Sequence, residues 1–237
     1  MLHGIYEDTM PYRDPHTAGP GLRALRHTSS CEFEVSVVPI EGSAAWRKGL
    51  EALAIGLYRQ EHRSSPTVQF GRMPAGYQPS SSNNAHLATL GLLVHGGMAP
   101  DIELICHAPG VASAGPLGAL VQAKDWNGHV WSDWASVASL PKSSANDDGL
   151  YRIRGDCDPS LLYVGQGRLP ARPLQHLAKM KHPEHPQGSI FAAQSRLEVS
   201  WIVNAAWLPH QRLELENDRI AAHVACRNCA PSAQFLG

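Results

Sequence analysis

What this sequence lacks most is an excess of charge. Its 20 Lys and Arg are matched by 21 Asp and Glu, leaving −1 with His neutral. No bulk positive field points to a nucleic-acid partner, although a local basic cleft needs only a few well-placed Arg and Lys. No run of eighteen apolar residues occurs, so no helix is expected to span a membrane. "MLHGIYEDTMPYRDP" carries acids and prolines where a signal peptide needs a basic patch and an apolar run. Cysteine is sparse and odd in number: Cys31, Cys106, Cys157, Cys226 and Cys229 are scattered, so free thiols in a reducing cytoplasm are expected. No internal repeat shows at a fixed period. The 43% of hydrophobic residues in 237 suffices for one large domain or two small ones.

The first 146 residues read as an arm and an α+β region. Residues 1–30 mix His, Pro, Gly, Thr and Ser without apolar period and are expected to form a poorly ordered arm. "CEFEVSVVPI" alternates, with Phe33, Val35 and Val37 on one face, and predicts a strand over 31–40. "GSAAWRKGLEALAIGLYRQEH" spaces Trp46, Leu50, Leu53 and Leu57 as a helical stripe, with Ser43 as its N-cap. That helix contains a Gly-Leu-Tyr-Arg, whose Leu57 and Tyr58 are expected to face or flank the core. A long loop follows, "SSPTVQFGRMPAGYQPSSSNNAH". Its Arg72, Tyr77, Ser80 and Asn83 suit phosphate contacts and equally suit any surface loop. Residues 85–123 show no readable period. Trp126, Trp131 and Trp134 suit base stacking or packing, with packing favoured. The polar "PKSSANDD" marks a boundary near 140–147.

Beyond that boundary the pattern sharpens. "GLYRI" at 149–153 and "LLYVGQG" at 161–167, joined by a loop of Gly, Asp and Pro, predict a β-hairpin. "LPARPLQHLAKM" predicts a helix from about residue 170, with its prolines in the first turn and Arg172 and His176 one turn apart. "LEVSWIV" is a third strand, and "QRLELENDRIAAHVA" a second helix with Leu213, Ile220 and Val224 as its apolar stripe. Strand, strand, helix, strand, helix is a small α+β layer.

In this order the segment resembles the GIY-YIG nuclease superfamily. Gly149-Leu150-Tyr151 stands for its first signature and Tyr163-Val164-Gly165 for its second. Arg172 lies in the following helix and Glu216 in the last. Arg172 and His176 are spaced as in restriction endonucleases of that superfamily. The resemblance covers residues 147–237. It implies a three-stranded antiparallel sheet flanked by helices, and divalent-metal-dependent hydrolysis of DNA phosphodiesters with Mg²⁺ or Mn²⁺ on Glu216. It places Tyr151 near the attacking water, as base or positioning group, and Tyr163 beside it. Arg172 clamps the phosphate, with Arg168 as a rival for that task. His176 either holds a tyrosine or carries a proton. Gly165, Arg168 and Gln234 complete the expected substrate-binding set, Gln234 standing where the family carries Asn and Pro173 where it carries Leu.

A phenol ionises near about 10, so a tyrosine base needs cationic help, which Arg172 or a metal would supply. Unperturbed histidine titrates close to neutrality, which suits a proton carrier. The two competing readings are a catalytically silent nucleic-acid-binding module and a structural or protein-interaction scaffold. His223, Cys226 and Cys229 form half of a zinc pattern whose fourth ligand would be Cys157 or His210. His182, Glu184 and His185 read as an exposed loop.

Overall fold

The structure, a computed structural model, describes residues 19–77, 104–140, 147–156 and 160–236. These divide into two compact units: the described parts of Met1–Pro39 with Pro66–Gly110, and of Ile40–Ser65 with Val111–Gly237. The cut does not follow the polar stretch before residue 147. The long helix and the tryptophan segment belong to the same unit as the hairpin.

In the first unit, helix α1 (Gly19–Ser29) replaces part of the expected arm. Proline is tolerated in a first turn, and Ala24 is wholly buried. A Cβ on Gly21 would stand 2.8 Å from Val68 Cβ, so glycine permits this close approach. The strand expected over 31–40 does not form, and Val35, Val37 and Val38 stay exposed. Alternation makes a strand only where a neighbour takes the backbone hydrogen bonds, and among the described residues none pairs with this segment. Met73 N–H donates to Cys106 O (3.1 Å), tying the loop after residue 66 to the 104–110 stretch. Ser80, Asn83 and the arm's first 18 residues lie outside the described residues.

The second unit is built on an antiparallel sheet of four strands, β1 (Ala135–Ser136), β2 (Asp147–Gly155), β3 (Leu161–Leu169) and β4 (Leu197–Val203), in the order β1-β4-β2-β3. The three expected strands are all present; the fourth is only two residues long, too short to leave a pattern. Period-two alternation sends neighbours on β2 to opposite faces. Leu150 joins Val164, Trp126 and Trp131 under helices α2 (Ala44–His62) and α5 (Pro209–Arg227). Tyr151 and Ile153 join Phe191, Leu162 and Val199 on the face of α3 (Ala171–Lys179) and α4 (Pro186–Ala192). α4 was not expected. Its signal is Pro186 in the first turn, with His185 Nδ1 accepting from Gln187 N–H as cap. Only the preceding His182–Glu184 pair is an exposed loop, its members 3.1 Å apart.

The tryptophans are packing residues. Trp126 and Trp131 are buried, and with Trp134 they enclose the buried Arg152 guanidinium at 5.6, 4.6 and 4.8 Å from the ring centroids. Arg152 also donates to Val121 O (2.7 Å) and Ala123 O (3.2 Å), so its charge is solvated by protein.

Ser43 caps α2 as predicted, accepting from Trp46 N–H. Of the expected stripe, Trp46, Leu50 and Leu53 are half-buried, Trp46 and Leu53 packing against the core, but the face α2 buries most deeply is another. Gly49, Ala52, Gly56 and Arg59 are buried, whereas Leu57 and Tyr58 are 55% and 40% exposed. Small residues let α2 approach α5 closely: a Cβ on Gly56 would lie 2.5 Å from Ala221 Cβ. Gly56→Val is therefore expected to lower stability by about 1–3 kcal/mol through overpacking. A urea midpoint equal to wild type would refute this packing.

The first Gly-Leu-Tyr-Arg thus has a structural part, carried by its arginine. Arg59 is wholly buried and grips Asp218 through Nε (2.7 Å) and Nη2 (3.0 Å). It also donates to Ser65 and to Val111 O. Glu214 accepts from Ser65 Oγ and from Val111 N–H, each at 2.7 Å. Glu216, two residues on along α5, points about 200° away from Glu214 and takes no part in this network.

Candidate active site

The site begins at the centre of β2. Tyr151 pairs with Gly165 on β3 and Trp201 on β4, and is completely buried. On β3, Tyr163 pairs with Ile153, two positions along from Tyr151, so both rings project from one face. Their ring centroids are 6.1 Å apart, with the ring planes inclined at 25°. Gly165 makes the room: a Cβ there would stand 2.5 Å from Tyr151 Oη and 2.7 Å from Tyr163 Cε1. The glycine of the second signature is buried beneath both rings.

α3 supplies the next two groups. Its 3.6-residue period puts Arg172 and His176 on one side, but at different depths. His176 is 3% exposed and packs against Tyr163 (4.4 Å between centroids) and Phe191 (5.4 Å). Its Nε2 lies 2.9 Å from Tyr151 Oη, while its Nδ1 has no hydrogen-bond partner among the described residues. Arg172, in the first turn, is exposed and donates to Gln175 Oε1 (2.9 Å). Its stem crosses Gly167, which has φ +126° and whose Cβ would meet Arg172 Cγ at 3.1 Å. Glycine alone suits that backbone. A second glycine two residues after the first was the available signal for Gly167.

Glu216 comes from α5 and is half-buried. Among the described residues nothing donates a hydrogen bond to its carboxyl. Burial lifts its pKa to about 7, opposed only by the Arg172 charge. Burial also dominates the tyrosines. Tyr151 is pushed well above the usual phenol range, helped by Tyr163 and Glu216 and opposed by Arg172. Tyr163 is pushed up to about 12 by burial and Glu216, again against Arg172. Arg172 thus acts in the expected direction but loses to desolvation. His176 is pushed down to about 3 by burial, then by Lys179 and Arg172. Burial thus favours the neutral ring and, with the 2.9 Å contact, the reading in which it holds Tyr151 over that of a proton carrier.

Arg168 is exposed on β3, opposite Asp148. Gln234 is buried, its Oε1 accepting from Val164 N–H at 3.1 Å, so its acceptor is engaged within the fold. Pro173, in the first turn of α3, is buried without interrupting the helix.

A lone carboxylate suits Mg²⁺, which keeps several waters and takes one or two protein carboxylates. Glu216 fits that demand, being half-buried, without a hydrogen-bond donor among the described residues, and lifted by desolvation into a state a cation would relieve. Among the described residues no group of three or more His, Cys, Asp and Glu gathers to hold a metal. The half-zinc pattern has another use. His223 is buried with Nδ1 at 2.7 Å from Cys229 O, tying down the turn after α5, while Cys226 and Cys229 are exposed. Cys157 lies outside the described residues. No helix among the described residues is long and apolar enough to cross a membrane.

Comparisons of the chain with family models, with curated proteins and with solved structures find no match.

Proposed function

We propose that this chain is a divalent-metal-dependent endonuclease that hydrolyses DNA phosphodiester bonds, a nuclease of the GIY-YIG kind. One observation carries the reading. Tyr151, Tyr163, His176, Arg172 and Glu216, from four separate elements, share one electrostatic neighbourhood in which a buried tyrosine–histidine hydrogen bond stands beside a half-buried acid.

Each group then has a task. Arg172, charged and exposed, takes the scissile phosphate with its planar fork of donors. Neutral His176 fixes Tyr151 Oη, and the two tyrosines orient the attacking water, an orienting effect of the kind that governs near-attack geometry. Glu216 would hold Mg²⁺ or Mn²⁺, which would supply positive charge to the leaving oxygen. Arg168 contacts the strand beside the cut. Gly165 and Gln234 shape the site rather than touch substrate.

The complete burial of Tyr151 favours the second reading, a binding module without turnover. Cleavage assays separate the two. The nuclease reading requires metal-dependent product, whereas the silent module requires DNA retention without it.

The acid sets a pH signature. Burial pushes the Glu216 pKa up to about 7, and only the ionised form takes a cation. At limiting Mg²⁺, single-turnover cleavage is therefore expected to rise between pH 6 and 8, with a midpoint that moves down as Mg²⁺ is raised. The folded pKa lies above the unfolded value. The acid's contribution to metal-free stability is thus full at low pH and is lost as pH rises through about 7. A midpoint independent of metal concentration would remove Glu216 as ligand.

A further inference from the structure

We propose that Gln187 is a positioning residue for the reaction, holding Tyr163 in place through residues 233 and 234; this rests on the nuclease reading above. The outer edge of β3 is where the geometry points. Tyr163 pairs inward with Ile153 on β2. Its neighbours turn their backbone outward: Leu162 O accepts from Ala233 N–H (2.8 Å), and Val164 N–H donates to Gln234 Oε1 (3.1 Å). The 231–234 turn, closed by Gln234 N–H to Pro231 O (2.9 Å), therefore does for this edge what another strand would do. It grips the two residues that flank Tyr163.

Gln187 grips that turn in its own right. Its side chain is buried, and Nε2 donates to Ala233 O at 2.9 Å while Oε1 accepts from Lys179 Nζ. α4 is thereby joined to the strap and to the last turn of α3, the helix that carries His176 and Arg172. Ala233 is wholly buried, so the strap is packed against the face that holds both tyrosines. A buried amide used at both ends costs free energy if either partner is removed, which makes the link exacting. Gln187 is enclosed, so its effect on the reaction passes through Val164 and Tyr163.

The test uses two pairs of variants and two readouts. Gln187→Met keeps the size and removes both bonds. Gln187→Glu keeps an acceptor for Lys179 but sets a carboxylate against Ala233 O. Gln234→Met removes the acceptor for Val164, and Gln234→Glu restores one. Amide hydrogen exchange at Val164 is expected to accelerate about tenfold or more in Gln187→Met, Gln187→Glu and Gln234→Met, with β2 amides unchanged. Gln234→Glu is expected to recover protection relative to Gln234→Met. In cleavage, kcat falls about tenfold to a hundredfold in the three disruptive variants while KM for DNA stays within about twofold, the split expected of misplacement without lost contact. Recovery of kcat should track recovery of Val164 protection. Unchanged exchange at Val164 in the Gln187 variants overturns the strap, and accelerated exchange with wild-type kcat overturns its catalytic part. A wild type that binds DNA without cutting it overturns the nuclease reading instead, and the exchange rates, which need no turnover, tell the two failures apart. Should Gln187→Met fail to fold, Gln187→Glu and the Gln234 pair carry the same comparison.

Discussion

Tyr151→Phe is expected to reduce single-turnover DNA cleavage by about 10²–10⁴-fold, with the fold intact and DNA affinity little changed. The change deletes one oxygen from a ring whose packing against Tyr163, His176 and the floor at Gly165 stays. That oxygen is the atom His176 Nε2 holds at 2.9 Å, so the loss falls on orientation at the reacting centre. Stability should fall by about 1–3 kcal/mol, because His176 is left buried without a partner on either ring nitrogen among the described residues. Matching near-ultraviolet circular dichroism and a gel-shift midpoint within about threefold of wild type would show that binding survives. Cleavage by Tyr151→Phe at the wild-type rate would leave the central tyrosine as a packing residue and the reading without its core.

The second large effect lies away from the chemistry. Asp218→Ala is expected to cost about 3–5 kcal/mol, because it strands the Arg59 guanidinium in a site closed to water. Glu214 lies 3.6 Å away but is already committed to Ser65 and Val111. Replacing both members, Arg59→Met with Asp218→Leu, should recover much of the loss. Breaking a buried pair costs more than substituting it with apolar groups. Urea unfolding at unchanged slope would measure both variants. A loss under about 1 kcal/mol for Asp218→Ala would mean that the buried ion pair adds little to the other contacts that join α2 and α5.

The hairpin and the last helix were legible because their signals are local. Alternation around Tyr151 and Tyr163, the proline-opened helix before His176 and the apolar period around Ile220 each require only neighbours in sequence. "CEFEVSVVPI" shows the limit of that reasoning: its alternation is as clean as that of β4, but no strand among the described residues meets it. Leu57 and Tyr58 fail for a related reason. The helix period was right, but close approach through Gly49 and Gly56 selected the small face for burial.

Within the candidate site, the residue set was readable and its electrostatics were not. Arg172 and His176 share a helix side, yet one is exposed and the other enclosed, and only tertiary contact decides which. That enclosure takes His176 to about 3 and Glu216 to about 7, where ordinary values would give a titrating histidine and an ionised acid. Gln187 left no signal at all, because its bond to Ala233 spans residues distant in sequence and depends on a short helix opened by Pro186.

The most direct measurement is cleavage of supercoiled plasmid and branched DNA by wild type and Glu216→Ala, each with Mg²⁺, Mn²⁺ or EDTA. The account predicts product from wild type in either ion, none in EDTA and none from Glu216→Ala, while that variant still retards DNA on a gel. Retardation of DNA by wild type that is equal with and without metal, and that never yields product, would contradict it.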